Sequence, residues 1–287
     1  MEILFIEKSK CYLMVLVTKF DGRKEPFVKE KIYRTCLKMH TPDDIARSVA
    51  DKVEKSVYEG ISTKQILKLI FRYLKEYKPG VEHQVDLREA ISMLRPKPDF
   101  EIFIAKVLEE YGYSVRSNQI IPGKCVEHEI DTVASKNNET IYVEIKHHFQ
   151  SHTFTGLGVF LESKATFDDL VDGFKAGKNK FNFSKVLVVC NTKISDHAYD
   201  YAECRGIDFI GWKSPNRGLE SMITEKKLYP ITYMKKVDRR ILDALGDANI
   251  VLLKQLATIP VNELCRMTGI SKHELETLQK RAIEILE

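Results

Sequence analysis

Long apolar runs are missing from this 287-residue chain. The longest aliphatic stretch near its start, Tyr12-Leu-Met-Val-Leu-Val17, falls far short of the roughly 20 residues that a bilayer-spanning helix needs, so no membrane association is expected. Acidic Glu2 and Glu7 flank that stretch and no small-residue cleavage site follows it, a pattern unlike a secretory leader. Cysteine is scattered over positions 11, 36, 125, 190, 204 and 265 with no Cys-x-x-Cys pair. This spacing argues against a zinc ribbon or a disulfide framework and fits reduced thiols in the cytoplasm. Low-complexity tracts and internal repeats are absent too. Neither sign of charge dominates, with 45 basic against 41 acidic side chains. The balance is uneven along the chain: residues 1–95 are net basic, whereas residues 96–230 carry 17 basic and 19 acidic side chains. Affinity of that middle segment for a polyanion must come from a local patch or from its neighbours.

What is present begins with Thr140-Ile-Tyr-Val-Glu-Ile-Lys146. Its alternation predicts a strand with Ile141, Val143 and Ile145 on one face, and Glu144 and Lys146 side by side on the other. Glu129-Ile-Asp-Thr-Val-Ala134 reads as a partner strand, joined through a turn at 135–139. Such a hairpin brings the carboxylates of Asp131 and Glu144 together. Two adjacent carboxylates repel unless they share a proton or hold a hard cation, and a nearby lysine can steady a water or a phosphate. The spacing therefore fits phosphodiester chemistry, while a solvated cross-strand pair is the ordinary alternative.

A helix is expected over Phe100–Tyr111, before the hairpin. After it come an amphipathic segment near Thr166–Phe174, a strand at Lys185–Cys190 and a last strand at Gly206–Trp212. With this order, Asp131…Glu144-Ile145-Lys146 resembles the core of the PD-(D/E)xK nucleases, and the surroundings look closest to the Mrr-type restriction endonucleases. The resemblance implies Mg²⁺ or Mn²⁺ held by Asp131, Glu144 and the Ile145 carbonyl, with Lys146 assisting hydrolysis of DNA. Glu101 is a candidate third acid, and His128, His147 and His148 are candidate phosphate contacts or proton carriers.

Two prolines in Arg95-Pro96-Lys97-Pro98 mark a linker, and Tyr229-Pro230-Ile231-Thr232 marks a softer boundary. Ahead of the linker, Tyr12–Phe20 and Arg23–Phe27 read as a hairpin turning at Asp21-Gly22. Helices follow over Lys29–Met39, Pro42–Tyr58, Thr63–Tyr77 and Asp86–Leu94, the third with Ser62-Thr63 as a start signal. Val17-Thr-Lys-Phe-Asp-Gly22, Pro26-Phe27, Lys31-Ile32 and Val57–Thr63 resemble the ATP-cone domain. The resemblance implies ATP or dATP as a regulatory ligand near Val17, with phosphates at Lys19 and Lys31, the sugar or base near Glu25, and the base near Thr63. Phe20 and Val28 stand where that family carries a basic and a polar residue.

Beyond residue 232, short helices are expected over Ile241–Leu245, Ile250–Ala257, Val261–Met267 and Lys272–Leu286. The turns Ala257-Thr-Ile-Pro260 and Thr268-Gly-Ile-Ser271 resemble degenerate helix-hairpin-helix modules, whose helix N-termini and backbone N–H groups face DNA phosphates.

The expected fold is thus α+β and multidomain. A cone of hairpin plus helical bundle spans 1–95, an α/β endonuclease-like domain with a mixed sheet spans 96–232, and a small all-α domain spans 233–287. The expected function is metal-dependent cleavage of duplex DNA under control of the bound nucleotide, with a homodimer suited to cutting both strands. Two alternatives are a nucleotide-responsive DNA-binding regulator with a silent nuclease fold and a structure-specific junction nuclease.

Overall fold

The computed structural model describes residues 15–214 and 218–287. It falls into two compact units, one ending at Glu82 and the other running from His83 to Glu287.

The first unit pairs strand β1 (Leu16–Thr18) with β2 (Lys24–Pro26) in an antiparallel hairpin. Gly22 at the turn takes φ 82°, a left-handed value that glycine adopts without strain. The part of the expected first strand before residue 15 lies outside the described residues. Helices α1 (Lys29–Lys38), α2 (Asp43–Glu54) and α3 (Thr63–Leu74) follow. Their apolar faces, with Val17 and Ile61, enclose a core of Ile32, Cys36, Val49, Val53, Ile66, Ile70 and Leu74. The expected start of α3 holds: Ser62 accepts from the Gln65 N–H while the Gln65 side chain accepts from the Ser62 N–H, a reciprocal cap that satisfies two orphan donors.

In the second unit a short helix α4 (Leu87–Ser92) and α5 (Glu101–Glu110) precede strands β3 (Ser114–Pro122), β4 (Glu127–Lys136) and β5 (Glu139–Lys146). The β4–β5 turn is tighter than the expected 135–139 stretch. Lys136 pairs with Glu139, and Asn137 and Asn138 take φ 51° and 63°, the left-handed pair of a two-residue hairpin turn that asparagine tolerates. Then come β6 (Phe154–Thr155), α6 (Leu157–Lys175), β7 (Phe183–Cys190), β8 (Lys193–Ile194), α7 (Asp196–Arg205) and β9 (Asp208–Ile210). The main sheet is mixed, in the order β3-β4-β5-β7-β9. Its hairpin half is antiparallel, and β5-β7-β9 is parallel across the α6 and α7 crossovers.

Side-chain alternation puts the sheet between two apolar layers. Tyr142, Val186 and Val188 pack with Phe160, Leu170, Ala198 and Ala202 of α6 and α7. Ile141, Val143, Ile145, Leu187 and Val189 pack with α5 on the other face. That second layer also takes in α8 (Leu219–Glu225), α9 (Arg239–Asp247), α10 (Leu253–Thr258), α11 (Val261–Thr268) and α12 (Lys272–Leu286). The C-terminal helices and the sheet therefore share one core.

The Arg95–Pro98 stretch lies inside this unit. The Arg95 guanidinium makes a two-pronged bond to Asp99 at 2.8 and 2.7 Å and reaches Asp247 at 2.8 Å. Asp99 is 4% exposed.

Candidate active site and nucleotide cradle

The sheet places Asp131 where β4 parts from β5. The ladder between them ends at Thr132–Val143, and the carboxylate of Asp131 takes up the Ile145 N–H at 2.8 Å. A carboxylate oxygen thus satisfies a main-chain donor that strand pairing no longer meets. Glu144 and Lys146 follow on the face predicted for them, Glu144 partly buried and Lys146 exposed at the strand end. The hydroxyl of Tyr142, which is 2% exposed, donates to Glu144 Oε2 at 2.6 Å.

Glu101 of α5 is 4% exposed and turned toward the same locus. Lys97 joins the two carboxylates: its Nζ lies 3.3 Å from Glu101 Oε1, 3.5 Å from Asp131 Oδ1 and 3.0 Å from Glu129 Oε1. Burial and the Asp131 charge raise the Glu101 carboxyl above its ordinary value, against the pull of Lys97. Burial likewise raises Glu144, with Asp131 and Glu162 adding repulsion against the Tyr142 bond and Lys146. The ammonium of Lys97 is held well above the ordinary lysine range: burial opposes its charge, but Glu129, Glu101 and Asp131 outweigh that. Asp131 therefore bears electrostatically on both Glu101 and Glu144.

The histidines do other work. His128 pairs with Asp169 of α6, Nε2 to Oδ2 at 2.8 Å, and Asp169 also accepts from the N–H groups of Cys125 and Val126. His128 is thus tied to the β3–β4 turn and is not brought to Asp131. His147 lies against Ile91 O at 3.1 Å and packs on the Phe100 ring at 4.9 Å. The His148 peptide is gripped on both sides by the Asn191 amide, at 2.8 and 2.7 Å. Burial lowers both imidazoles below the ordinary histidine range. These two residues anchor the end of β5 directly after Lys146.

Among the described residues no group of three or more His, Cys, Asp or Glu side chains could hold a metal ion. Mg²⁺ does not require one, since it commonly takes one or two carboxylates and keeps several waters. Buried Asp131 and partly buried Glu144 are hard oxygen donors, and they fit that ion. Sequence reasoning missed Lys97, Glu129 and Tyr142. The prolines around Lys97 read as a linker, its contacts to Glu129 and Asp131 span over 30 residues and leave no local signal, and Tyr142 reads simply as a strand residue two positions from Glu144.

In the first unit, the register Val17–Glu25 sets the cradle. The Glu25 carboxylate lies between Lys19 at 3.1 Å and Lys31 at 3.4 Å, and these bonds, Lys19 first, hold it below the usual carboxylate range. Val17 is buried in the core beneath. Thr18 N–H donates to Ile61 O at 2.9 Å, docking the hairpin against the turn that leads to Thr63, the exposed first residue of α3. The structure thus joins Lys19, Glu25 and Lys31 and sets the first turn of α3 next to their strand. Phe20 is exposed, and Val28 starts α1 without a side-chain cap.

Three family models match the chain: the ATP cone domain over residues 15–96, a restriction endonuclease model over 95–214, and the AF1548-like C-terminal model over 229–286. An uncharacterized protein of Archaeoglobus fulgidus is 33% identical over 184 residues, covering 64% of this chain and 99% of that protein. A crystal structure of the protein of unknown function AF1548 superposes with a TM-score of 0.57 at 32% identity, covering 65% of this chain and 96% of that one. Fold and matches together define a restriction-endonuclease-type protein carrying an ATP cone. Within that class, the chain belongs to the AF1548-like family.

Proposed function

We propose that the protein is a metal-dependent DNA endonuclease whose activity is tuned by ATP or dATP on its cone. The observation that carries this reading is buried Asp131 accepting the Ile145 N–H where β4 parts from β5, between partly buried Glu144 and exposed Lys146. Asp131 and Glu144 would hold Mg²⁺ or Mn²⁺, with the Ile145 carbonyl as a further oxygen ligand. Such an ion, when bound, polarises a phosphate oxygen and lowers the pKa of an attacking water. Lys146 orients that water and offsets the charge developing on the phosphate. Tyr142 fixes one oxygen of Glu144, leaving the other to face the site. Glu101 supports the acid locus through Asp131 and Lys97.

On the cone, Lys19 and Lys31 are the phosphate contacts, and Glu25 is the internal counter-charge that an arriving phosphate displaces toward the sugar or base. Thr63 and Val17 border the base. Following the family-model bounds, we assign the cone to residues 1–95, the nuclease to 96–232 and the C-terminal helices to 233–287, with residues 83–95 packed into the second compact unit. The substrate is duplex DNA, and cutting both strands with one site per chain calls for a homodimer. The described cysteines are all unpaired thiols, and no described helix is long and apolar enough to cross a membrane; both suit a cytoplasmic enzyme.

The test is incubation of supercoiled plasmid with the full chain and Mg²⁺ or Mn²⁺, with and without ATP and dATP, beside Lys146→Ala. Nicking that depends on metal and disappears in the variant is the expected result. DNA binding without cleavage under either metal would replace this reading with the silent regulator.

A further inference from the structure

Phe149 is 70% exposed, and a single exposed ring on a protein surface needs no explanation of its own. What sets this one apart is how it is held. Its ring meets that of His147 edge-on, with centroids 5.3 Å apart at 84°. His147 in turn meets Phe100 at 4.9 Å and 61°, and Phe100 is wholly buried. Three rings therefore run in series from the core to solvent, and edge-to-face contacts of this kind are attractive beyond the area they bury. The chain beside them is pinned as well: His147 Nε2 lies 3.1 Å from Ile91 O, and the Asn191 amide grips the His148 peptide. The outermost ring is a braced apolar projection with little freedom left to lose on meeting a partner.

Its place in the chain says what that partner is. Phe149 follows Lys146 by three residues, and three Cα–Cα steps reach at most about 11 Å. Along one DNA strand the phosphates recur about every 3.4 Å of helix axis. A ring this near to a lysine that meets the scissile phosphate lies within a few base steps of the cut. Phenylalanine has no polar atom, so it can neither hold a phosphate nor hydrogen-bond a base edge. The large apolar surface that DNA offers it is the face of a base. In a paired duplex those faces are covered by neighbouring bases, and a ring reaches one by entering the stack, which parts two bases and kinks the helix.

We propose that Phe149 is a wedge that enters the base stack of duplex DNA beside the scissile phosphate. The inference rests on the nuclease reading for where the DNA lies, and it names the feature of the duplex that the site selects: a base step that unstacks at low cost. Pyrimidine–purine steps such as TA and CA/TG are of that kind, and so are mismatched pairs.

The test has two arms, both on the full chain. In the first, short duplexes carrying 2-aminopurine in place of adenine at TA steps are bound without divalent metal, and fluorescence reports unstacking. The expected result is a rise with the wild type and with Phe149→Trp, and none with Phe149→Ala. In the second, cleavage with Mg²⁺ or Mn²⁺ is compared on matched duplexes and on duplexes with a single mismatch. Phe149→Ala should cut matched DNA about 10- to 100-fold more slowly, the worth of one aromatic–base stack. It should recover most of that loss where a mismatch has already opened the stack, which a variant merely damaged in its fold would not do. No rise with the wild type, an equal rise with Phe149→Ala, or an equal loss on matched and mismatched DNA overturns the wedge. Absence of cleavage by every form instead removes the nuclease reading, and the fluorescence arm still decides whether Phe149 enters the stack.

Discussion

At the scale of single residues, the site depends on how each charge is held. Lys146 is exposed at the end of β5, directly before the anchored His147 and His148. Lys146→Ala is expected to slow plasmid cleavage by on the order of 10²–10³-fold, the usual cost of losing a charge aimed at the transition state, with little change in thermal stability. Tyr142 offers a finer probe. Tyr142→Phe removes only the hydroxyl that donates to Glu144. Losing one hydrogen bond to a charged group costs about 1.5–3 kcal/mol, so cleavage should fall by roughly 10- to 100-fold. Single-turnover rates measured across Mg²⁺ concentrations would show whether chemistry or metal affinity carries the loss.

At the scale of elements, the β3–β4 turn and α6 are joined through Asp169. His128 first, and then the N–H groups of Cys125 and Val126, hold the Asp169 carboxyl far below the usual carboxylate range. A carboxyl depressed in the folded state contributes stability that is fully present above its unfolded pKa, about 3.9, and is lost as pH falls through the folded value. Asp169→Asn should therefore be less stable than the wild type at neutral pH, and the gap should narrow on acidification below about pH 4; melting curves at several pH values would show it. The same contact leaves no room at Gly173, where a Cβ would lie 2.7 Å from the Gly123 carbonyl carbon. Gly173→Ala should cost about 1–3 kcal/mol through overpacking, read as a lowered urea midpoint. Legibility in the sequence follows the same physics. β5 shows clearly because Ile141, Val143 and Ile145 alternate against the buried face, and α12 because its apolar stripe is regular. β3 went unseen because it is an edge strand, Ser-Val-Arg-Ser-Asn-Gln-Ile-Ile-Pro, half of whose face is polar. The first half of α6 was hidden by Gly156 and Gly158 at its start. The hairpin that carries Asp131 and Glu144 is legible from spacing, whereas Lys97 meets Glu129 and Asp131 only through folding.

At the scale of the whole molecule, the two units differ in how self-sufficient they are. The first has its own core, so a fragment of residues 1–82 should show a cooperative thermal transition by circular dichroism. The second does not divide in the same way, because one apolar layer runs from Ile104 and Val143 through to Leu275 and Ile285. Removing residues 233–287 strips helices from that shared layer and should give a chain that binds apolar dyes and lacks near-ultraviolet dichroism. That shared layer also bears on how the chain is made. A ribosome emits it from the N-terminus, so Asp131 and Glu144 leave the tunnel well before the helix that completes the layer beneath their strands. Until α12 is released, that apolar layer is incomplete and the elements packed in it lack part of their support. Synthesis through α12 is thereby a condition for a complete layer, and a product truncated before it would carry the strand hairpin without that packing.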